Sequence, residues 1–410
     1  MTGPLTNLKL LRRTNRILIG VFIGMLWLPT VDTFFHTDHT PATNEKRLLA
    51  TFPKLKPGLA GLKEFNAGLE AYFNDHFGYR KQFIRWYNKW RWGLFQDRSV
   101  RNVIAGDDGW LFFSSNQMVD NYRGILRFSD RELRDWQTLL ERRRDWLAQR
   151  HIRFLFIVAP DKQSIYPEHL PAWIIKVHPD TKLDQLLAHL RAHSTVEVLD
   201  LRPALRDARA TAPTYFKTDT HWNLFGAFTA YQELIRTFAR QQPECKPLAL
   251  ESFAWTNKTA SGGNLSDFIG VQVTESNAIY FLPKPGLLPI EMTATPSAWR
   301  GEKTYRGQVL KPGEVINDLF GAPCPDFDTG PVVTRNSNAT GRIAVFRDSY
   351  VQMWLPFLGH HFAEANYFWQ YHLDAAWLEK QKPDIVVCEI AERYFNEANP
   401  KELQAKDALP

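Results

Sequence analysis

Phe154-Leu155-Phe156-Ile157-Val158-Ala159 is a continuous apolar run stopped by Pro160. An unbroken run of this length suits a strand buried on both faces, as in a parallel sheet with helices on each side. Thr181 to His193 then places Leu183, Leu186, Leu187 and Leu190 at helical spacing, and Val196-Glu197-Val198-Leu199-Asp200 reads as a further strand. Strand, helix, strand in this order predicts an α/β fold built on a parallel sheet. The same pattern resumes at Ile343 to Phe346 and at Asp384-Ile385-Val386-Val387-Cys388-Glu389-Ile390.

Upstream of the first strand, Ser129 and Glu132 have the spacing of a capping box, and Leu133, Trp136, Leu140 and Leu147 continue a helical face behind it. Gly106-Asp107-Asp108-Gly109 reads as a turn, with Trp110-Leu111-Phe112-Phe113 as a short strand after it. Earlier still, Leu62, Phe65, Leu69, Tyr72 and Phe73 recur at three- and four-residue steps. A second helix over 81–95 puts Phe83, Tyr87, Trp90 and Leu94 on one face and Lys81, Arg85 and Lys89 on another. That face packs into a core or lies against anionic headgroups. Between 241 and 342 the pattern weakens into Pro, Gly and Thr with short alternating stretches, which predicts a β-rich or irregular insertion.

The N-terminus bears on compartment. Lys9, Arg12, Arg13 and Arg16 precede the apolar run Ile17 to Val31, and no acidic residue occurs before Asp32. Basic residues ahead of an apolar segment predict a cytoplasmic tail and an exported remainder. The run alone is shorter than the roughly 20 residues of a comfortable span, so a signal peptide or a buried helix are alternatives. No small-x-small cleavage site follows it, which favours an uncleaved signal anchor. The expected organisation is a basic tail over 1–16, an anchor over 17–35, a Pro-, Lys- and Thr-rich linker over 36–61, and a domain over 62–410 that contains the insertion. With 44% apolar residues in 410, the chain is long enough for a full core. Its 50 basic and 44 acidic residues leave a charge of +6 that is mostly dispersed, and no recognition motif accompanies it, so nucleic acid is not the expected partner.

Two short stretches carry chemistry. Asp219-Thr220-His221-Trp222-Asn223 lies in the loop after the second strand, ahead of the helical face Leu224, Phe225, Phe228, Tyr231, Leu234, Ile235 and Phe238. Arg347-Asp348-Ser349-Tyr350 directly follows the strand Ile343 to Phe346, at the carboxyl end where open α/β sheets bind ligands. Ser349 needs a base to become a nucleophile; His221 can supply it, and Asp219 can hold the imidazole in the required tautomer. Asp219, Thr220 or Asn223 are equally suited to cap the following helix, and His221 to be a hydrogen-bonded structural histidine. Asp348 is a rival carboxylate whose side chain is expected to point away from Ser349. Neither the pair His36 and His39 nor His360 and His361 has a convincing set of partner ligands, so neither a metal nor a cofactor is expected.

Together, Gly109-Trp110-Leu111-Phe112-Phe113, the stretch Ala159-Pro160-Asp161-Lys162-Gln163-Ser164-Ile165-Tyr166-Pro167-Glu168, Asp219-Thr220-His221-Trp222-Asn223 and Arg347-Asp348-Ser349-Tyr350 resemble the membrane-anchored, SGNH-hydrolase-like alginate O-acetyltransferases. Residues 71–80, Pro383-Asp384-Ile385-Val386 and Glu392-Arg393 are similar to that group as well, so the resemblance covers roughly 70–395. It implies an SGNH-like core with a permuted motif order and a triad of Ser349, His221 and Asp219. It further implies acetyl transfer through a serine ester onto hydroxyls of an exported, alginate-like polysaccharide. The same resemblance implies an inner-membrane anchor with a periplasmic catalytic domain, a membrane-bound O-acyltransferase as acetyl supplier, and other exopolysaccharide assembly proteins as partners.

One departure from the family pattern is Arg347, where SGNH enzymes commonly carry glycine. A positive φ there would strain it, whereas its guanidinium would suit an oxyanion. The Ser349 amide and Asn264 are further oxyanion candidates, and Tyr350 is a candidate substrate contact. Trp222, Trp354 and Trp369 suit either a sugar platform or core packing. An acetyl esterase would use the same triad, and a non-catalytic assembly subunit would keep the fold alone. Of the three cysteines, Cys388 is expected as a buried thiol, while Cys245 and Cys324 flank the insertion and are candidates for a bridge.

Overall fold

The structure, a computed structural model, describes residues 4–35, 37, 50–80, 82–83, 86–87, 90, 99–100, 102–115, 117–242, 245–269, 273–283, 291–294, 303–305, 308–310 and 332–409. Half of the expected linker, much of the aromatic stretch 81–95, and Cys324 with its candidate bridge therefore lie outside the described residues. The chain divides into two compact units, Met1–Arg101 with Ser266–Gln272, and Asn102–Leu265 with Val273–Pro410.

The first unit contains two long helices, α1 (Pro4–Phe35) and α2 (Gly58–His76). Within α1, Arg13–Asp32 is the one stretch among the described residues that is long and apolar enough to cross a membrane, 20 residues at a mean hydropathy of 1.4. At 1.5 Å per residue this spans about 30 Å, the thickness of a hydrocarbon core. Its apolar side chains face outward, Phe22 at 64% and Trp27 at 63% exposure, which is consistent with a membrane anchor.

In the second unit, β1 (Val103–Ala105) and β2 (Leu111–Phe113) pair antiparallel. The α/β alternation follows as α3 (Asp130–Ala148), β3 (Arg153–Ala159), α4 (Lys182–His193), β4 (Val198–Asp200) and α5 (Leu224–Ala239). Capping chemistry sets the helix starts. Ser129 and Glu132 form the expected capping box on α3, Thr181 and Asp184 form one on α4, and the Asn223 side chain caps α5 by accepting from Gly226 N at 2.9 Å. A hairpin of β5 (Phe253–Ser261) and β6 (Thr274–Pro283) precedes β7 (Glu291–Ala294), β8 (Val332–Arg335), β9 (Arg342–Phe346), β10 (Glu364–Phe368) and β11 (Ile385–Ala391).

Among the described residues seven strands make the main sheet, in the order β4-β3-β11-β9-β10-β8-β7. The first five are parallel, and β8 and β7 are added antiparallel at one edge. Those two strands come from the interval 241–342, so part of the stretch read as a β-rich or irregular insertion belongs to the main sheet. Alternate residues of each central strand face opposite layers. Leu155, Ile157, Ile343, Val345 and Val387 pack with Phe228, Tyr231, Leu234 and Ile235 of α5. Phe154, Phe156, Ala344, Phe346 and Val386 pack with Trp136 and Leu140 of α3 and Leu183 and Leu187 of α4. Burial on both faces explains the unbroken apolar runs. Three parallel strands thereby end on one edge of the sheet, with Pro160-Asp161-Lys162 after β3, Arg347-Asp348-Ser349 after β9 and Glu392-Arg393 after β11.

Candidate active site

At that edge the loop before α5 and the turn after β9 meet. His221 Nδ1 lies 2.7 Å from Asp219 Oδ1, and His221 Nε2 lies 2.7 Å from Ser349 Oγ. The Asp219 carboxylate also accepts from His221 N at 3.0 Å and, on its other oxygen, from Asn264 N at 2.8 Å. Burial resists ionisation of Asp219, but the hydrogen bond and charge of His221, with the N–H groups of Asn264 and His221, hold its carboxyl well below the usual carboxylate range. An ionised Asp219 keeps the proton on Nδ1, so Nε2 is an acceptor for the serine hydroxyl. Gly263 passes so close that a Cβ there would come 2.5 Å from Asp219 Cβ, which requires glycine at that position.

The segment entering this loop is held on both of its polar edges. Lys162 Nζ, buried, donates to the carbonyls of Leu111 at 2.6 Å, Phe216 at 2.9 Å and Lys217 at 3.0 Å, which uses all three ammonium donors. Burial pushes this ammonium down to about 7, opposed by the charges of Asp219 and Glu275. Opposite it, the Glu275 carboxylate accepts from Lys217 N at 2.5 Å and from Thr218 N and Oγ1 at 3.2 and 2.7 Å. Lys162 sits in the stretch quoted from the sequence without a role. Glu275 lies in the interval where periodicity fades, and no local signal marks it.

The nucleophile turn is fixed by Asp348. Its carboxylate accepts from Tyr350 N at 2.9 Å, Ala391 N at 2.8 Å and Tyr371 Oη at 2.9 Å, while the carboxylate paired with His221 is that of Asp219. Asp348 N donates to Glu389 Oε2 at 3.0 Å; burial, and then the Asp348 charge, push Glu389 well above the usual carboxylate range. Tyr350 ties the two motifs together. Its hydroxyl donates to Thr220 O at 2.9 Å and its carbonyl accepts from Trp222 Nε1 at 3.0 Å, so both neighbours of His221 hold the residue after Ser349. Arg393 Nη1 donates to Tyr350 Oη and to Asp161, linking the ends of β3 and β11 to this lock.

Several expected roles fall differently. Arg347 is buried; its Nη1 donates to Asp348 O, and its guanidinium lies 4.5 Å from the Trp369 ring centroid. Its φ is not positive, and Ser349 has φ −68 and ψ −22, so no strain attends the missing glycine. Asn264 holds the base loop, accepting from Thr220 N at 3.1 Å and donating to Thr220 Oγ1 at 3.0 Å. Trp222 and Trp354 are fully buried and stacked on each other at 5.7 Å, which makes them core packing and leaves no face for a sugar. Tyr350 is likewise fully buried.

Residues 103–281 match the SGNH hydrolase-like domain of the acetyltransferase AlgX. The chain is 25% identical over 235 residues to the probable alginate O-acetylase AlgJ of Azotobacter vinelandii, covering 55% of this chain and 53% of that protein. It is 31% identical over 140 residues to the probable alginate O-acetylase AlgJ of Pseudomonas aeruginosa, 32% of each chain. The matched stretch thus spans about half, or less, of the length of these curated relatives. Among solved structures, Bacillus cereus PatB1 with a sulfonyl adduct superposes with a TM-score of 0.55 at 19% identity, covering 74% of this chain and 98% of that one. The fold is SGNH-hydrolase-like, with relatives among the AlgJ proteins.

Proposed function

We propose, for a chain that carries an SGNH hydrolase-like domain and is similar to alginate O-acetylases, that it moves acetyl groups through an ester on Ser349 onto hydroxyls of an exported, alginate-like polysaccharide. The observation that carries this reading is the continuous hydrogen-bonded line from Asp219 through His221 to Ser349 at the carboxyl end of a central parallel strand. Ser349 Oγ attacks the acetyl carbonyl of the donor while His221 Nε2 takes the hydroxyl proton. The tetrahedral oxyanion is received by the Ser349 N–H, and collapse expels the donor's oxygen, which takes the proton from His221. A sugar hydroxyl then attacks the acetyl-serine and gives its proton to Nε2, and Ser349 recovers it as the ester breaks. An acetyl donor delivered by a membrane-bound O-acyltransferase, in company with other exopolysaccharide assembly proteins, completes the proposed system.

The names of the relatives favour transfer over hydrolysis. Acetyl esterase activity is the second reading, supported by the same three side chains. A non-catalytic role has the departure at Arg347 as its best support, and the backbone there is unstrained. The deciding assay supplies a small acetyl ester with and without a polysaccharide acceptor. Acetyl on sugar supports transfer, and acetate alone supports the esterase.

Tyr350→Phe tests the lock between the motifs. It removes the donor to Thr220 O while keeping the ring, so we expect kcat to fall about tenfold to a hundredfold with acceptor KM little changed, since small displacements of reacting groups are costly. An unchanged kcat would show that the two loops hold their places without it.

Orientation has its own test. Basic residues before Ile17 place the N-terminus in the cytoplasm and the domain in the periplasm in this reading. A reporter fused after Gly61 should be active only where exported reporters work, and cytoplasmic activity would reverse the topology.

A further inference from the structure

Beside the loop that leads to Asp219 lies a cleft of about 780 Å³, within the range of small-ligand sites. Its stiff wall is a stack of three rings. Trp110 lies 4.2 Å from Tyr166 and 4.8 Å from His169, centroid to centroid, at interplanar angles of 29° and 14°. Three cations share the lining, Arg206, Arg209 and Lys217, against one carboxylate, Asp108, whose Oδ2 lies 3.5 Å from His169 Nδ1.

How those cations are held decides what the cleft can take. Arg206 donates through Nε and Nη2 to one carbonyl, Ser164 O, at 3.1 and 2.6 Å, and among the described residues its Nη1 has no partner. Lys217 Nζ donates to Asp108 O at 3.2 Å and lies 5.9 Å from the Trp110 ring centroid. Carbonyls position these charges without neutralising them, whereas Arg209 is paired with the Glu168 carboxylate and lies over Tyr166. Pre-positioned, uncompensated charge favours an anion, because the cost of ordering the side chains has been met in the folded state. Lys217 also connects the cleft to the candidate active site. Its carbonyl accepts from Leu111 N and Lys162 Nζ, its N–H donates to Glu275, and Asp219 follows two residues later.

We propose that this cleft is a subsite for an acidic sugar residue of the acceptor chain, with Arg206 and Lys217 receiving its carboxylate or phosphate group. The assignment rests on the polysaccharide-acceptor reading above. It makes the enzyme selective for acidic over neutral glycans by charge, at a place separate from the serine.

Binding is measured on the full-length chain in detergent with Ser349→Ala, so that no turnover intervenes. The probes are an oligouronate, a phosphate-bearing oligosaccharide and a neutral β-glucan oligosaccharide of equal length. At least one acidic probe should bind about tenfold or more tighter than the neutral one, with a preference that shrinks as salt is added. The tighter of the two acids names the anion. Adding Arg206→Gln and Lys217→Gln should remove the preference, at about tenfold for each cation. Arg206→Lys with Lys217→Arg keeps both charges and should retain most of it, which a purely structural role would not allow. Equal binding of neutral and acidic probes, or a preference that survives loss of both charges, overturns the subsite. Failure of Ser349 to form an acetyl ester would be seen in the turnover assay instead and would leave this measurement standing.

Discussion

Ser349→Ala is expected to eliminate acetyl-enzyme formation and to lower turnover of a small acetyl ester by on the order of 10⁴ to 10⁶-fold. The hydroxyl is the atom that forms and breaks the ester in the proposed chemistry, and an alanine methyl has no lone pair to replace it. Stability should change little. Among the described residues the one side-chain bond lost is that to His221 Nε2, at a net cost of about 1 kcal/mol or less. His221→Ala should be nearly as damaging, and the double variant no worse than either, because groups that act as one unit do not contribute additively. The check is mass spectrometry of the protein after incubation with an acetyl ester, together with a melting curve. Undiminished polysaccharide acetylation in cells that carry folded Ser349→Ala protein would remove both serine-dependent readings, transferase and esterase, and favour the assembly-subunit one.

Asp219→Asn should lower turnover by on the order of 10² to 10⁴-fold, and the geometry says why. Asp219 is acceptor on both oxygens: Oδ1 receives His221 N and Nδ1, and Oδ2 receives Asn264 N. An amide cannot do this. With its oxygen toward His221, its NH₂ meets the Asn264 N–H, and that bond is lost. Flipped, its NH₂ meets Nδ1, which puts the imidazole proton on Nε2 and leaves nothing to accept from Ser349. Stability adds a second readout. Since the Asp219 carboxyl is depressed in the folded chain, its contribution is fully present above the ordinary carboxylate value of about 3.9 and is lost as pH falls through its lower folded value. The gap in melting temperature between the parent and Asp219→Asn should therefore be widest near pH 5 to 7 and narrow on acidification. A gap independent of pH would mean that the carboxylate's charge plays no part in holding the loop.

The strands most plainly legible are the long ones buried on both faces. Phe154 to Ala159 could be read because nothing polar interrupts it, and Ile385 to Ile390 because Glu389 is the single break in an apolar run. β10, Glu364-Ala365-Asn366-Tyr367-Phe368, was missed since Glu364 and Asn366 break the run, although Asn366 is buried in the sheet. β7 and β8 were not distinguished within the interval read as β-rich or irregular, because a strand of four residues leaves little periodic signal. Helix starts fared better, as capping depends on residues three apart in the chain and is local chemistry.

By itself the sequence determined the α/β class, the apolar helix at the N-terminus, and which serine, histidine and aspartate were candidates to meet, because each depends on local pattern or motif. Tertiary structure alone decided the rest. Ser349 and His221 are 128 residues apart, and their 2.7 Å contact exists only because β9 delivers one and the loop before α5 the other. The sugar-platform reading of Trp222 and Trp354 failed for the same reason, since whether an indole packs or faces solvent depends on what the fold lays over it. Lys162 and Glu275 took their places on opposite sides of 216–218 without any local signal of those roles, since the groups they satisfy are mainly main-chain carbonyls and N–H groups, which every sequence possesses and only a fold aims.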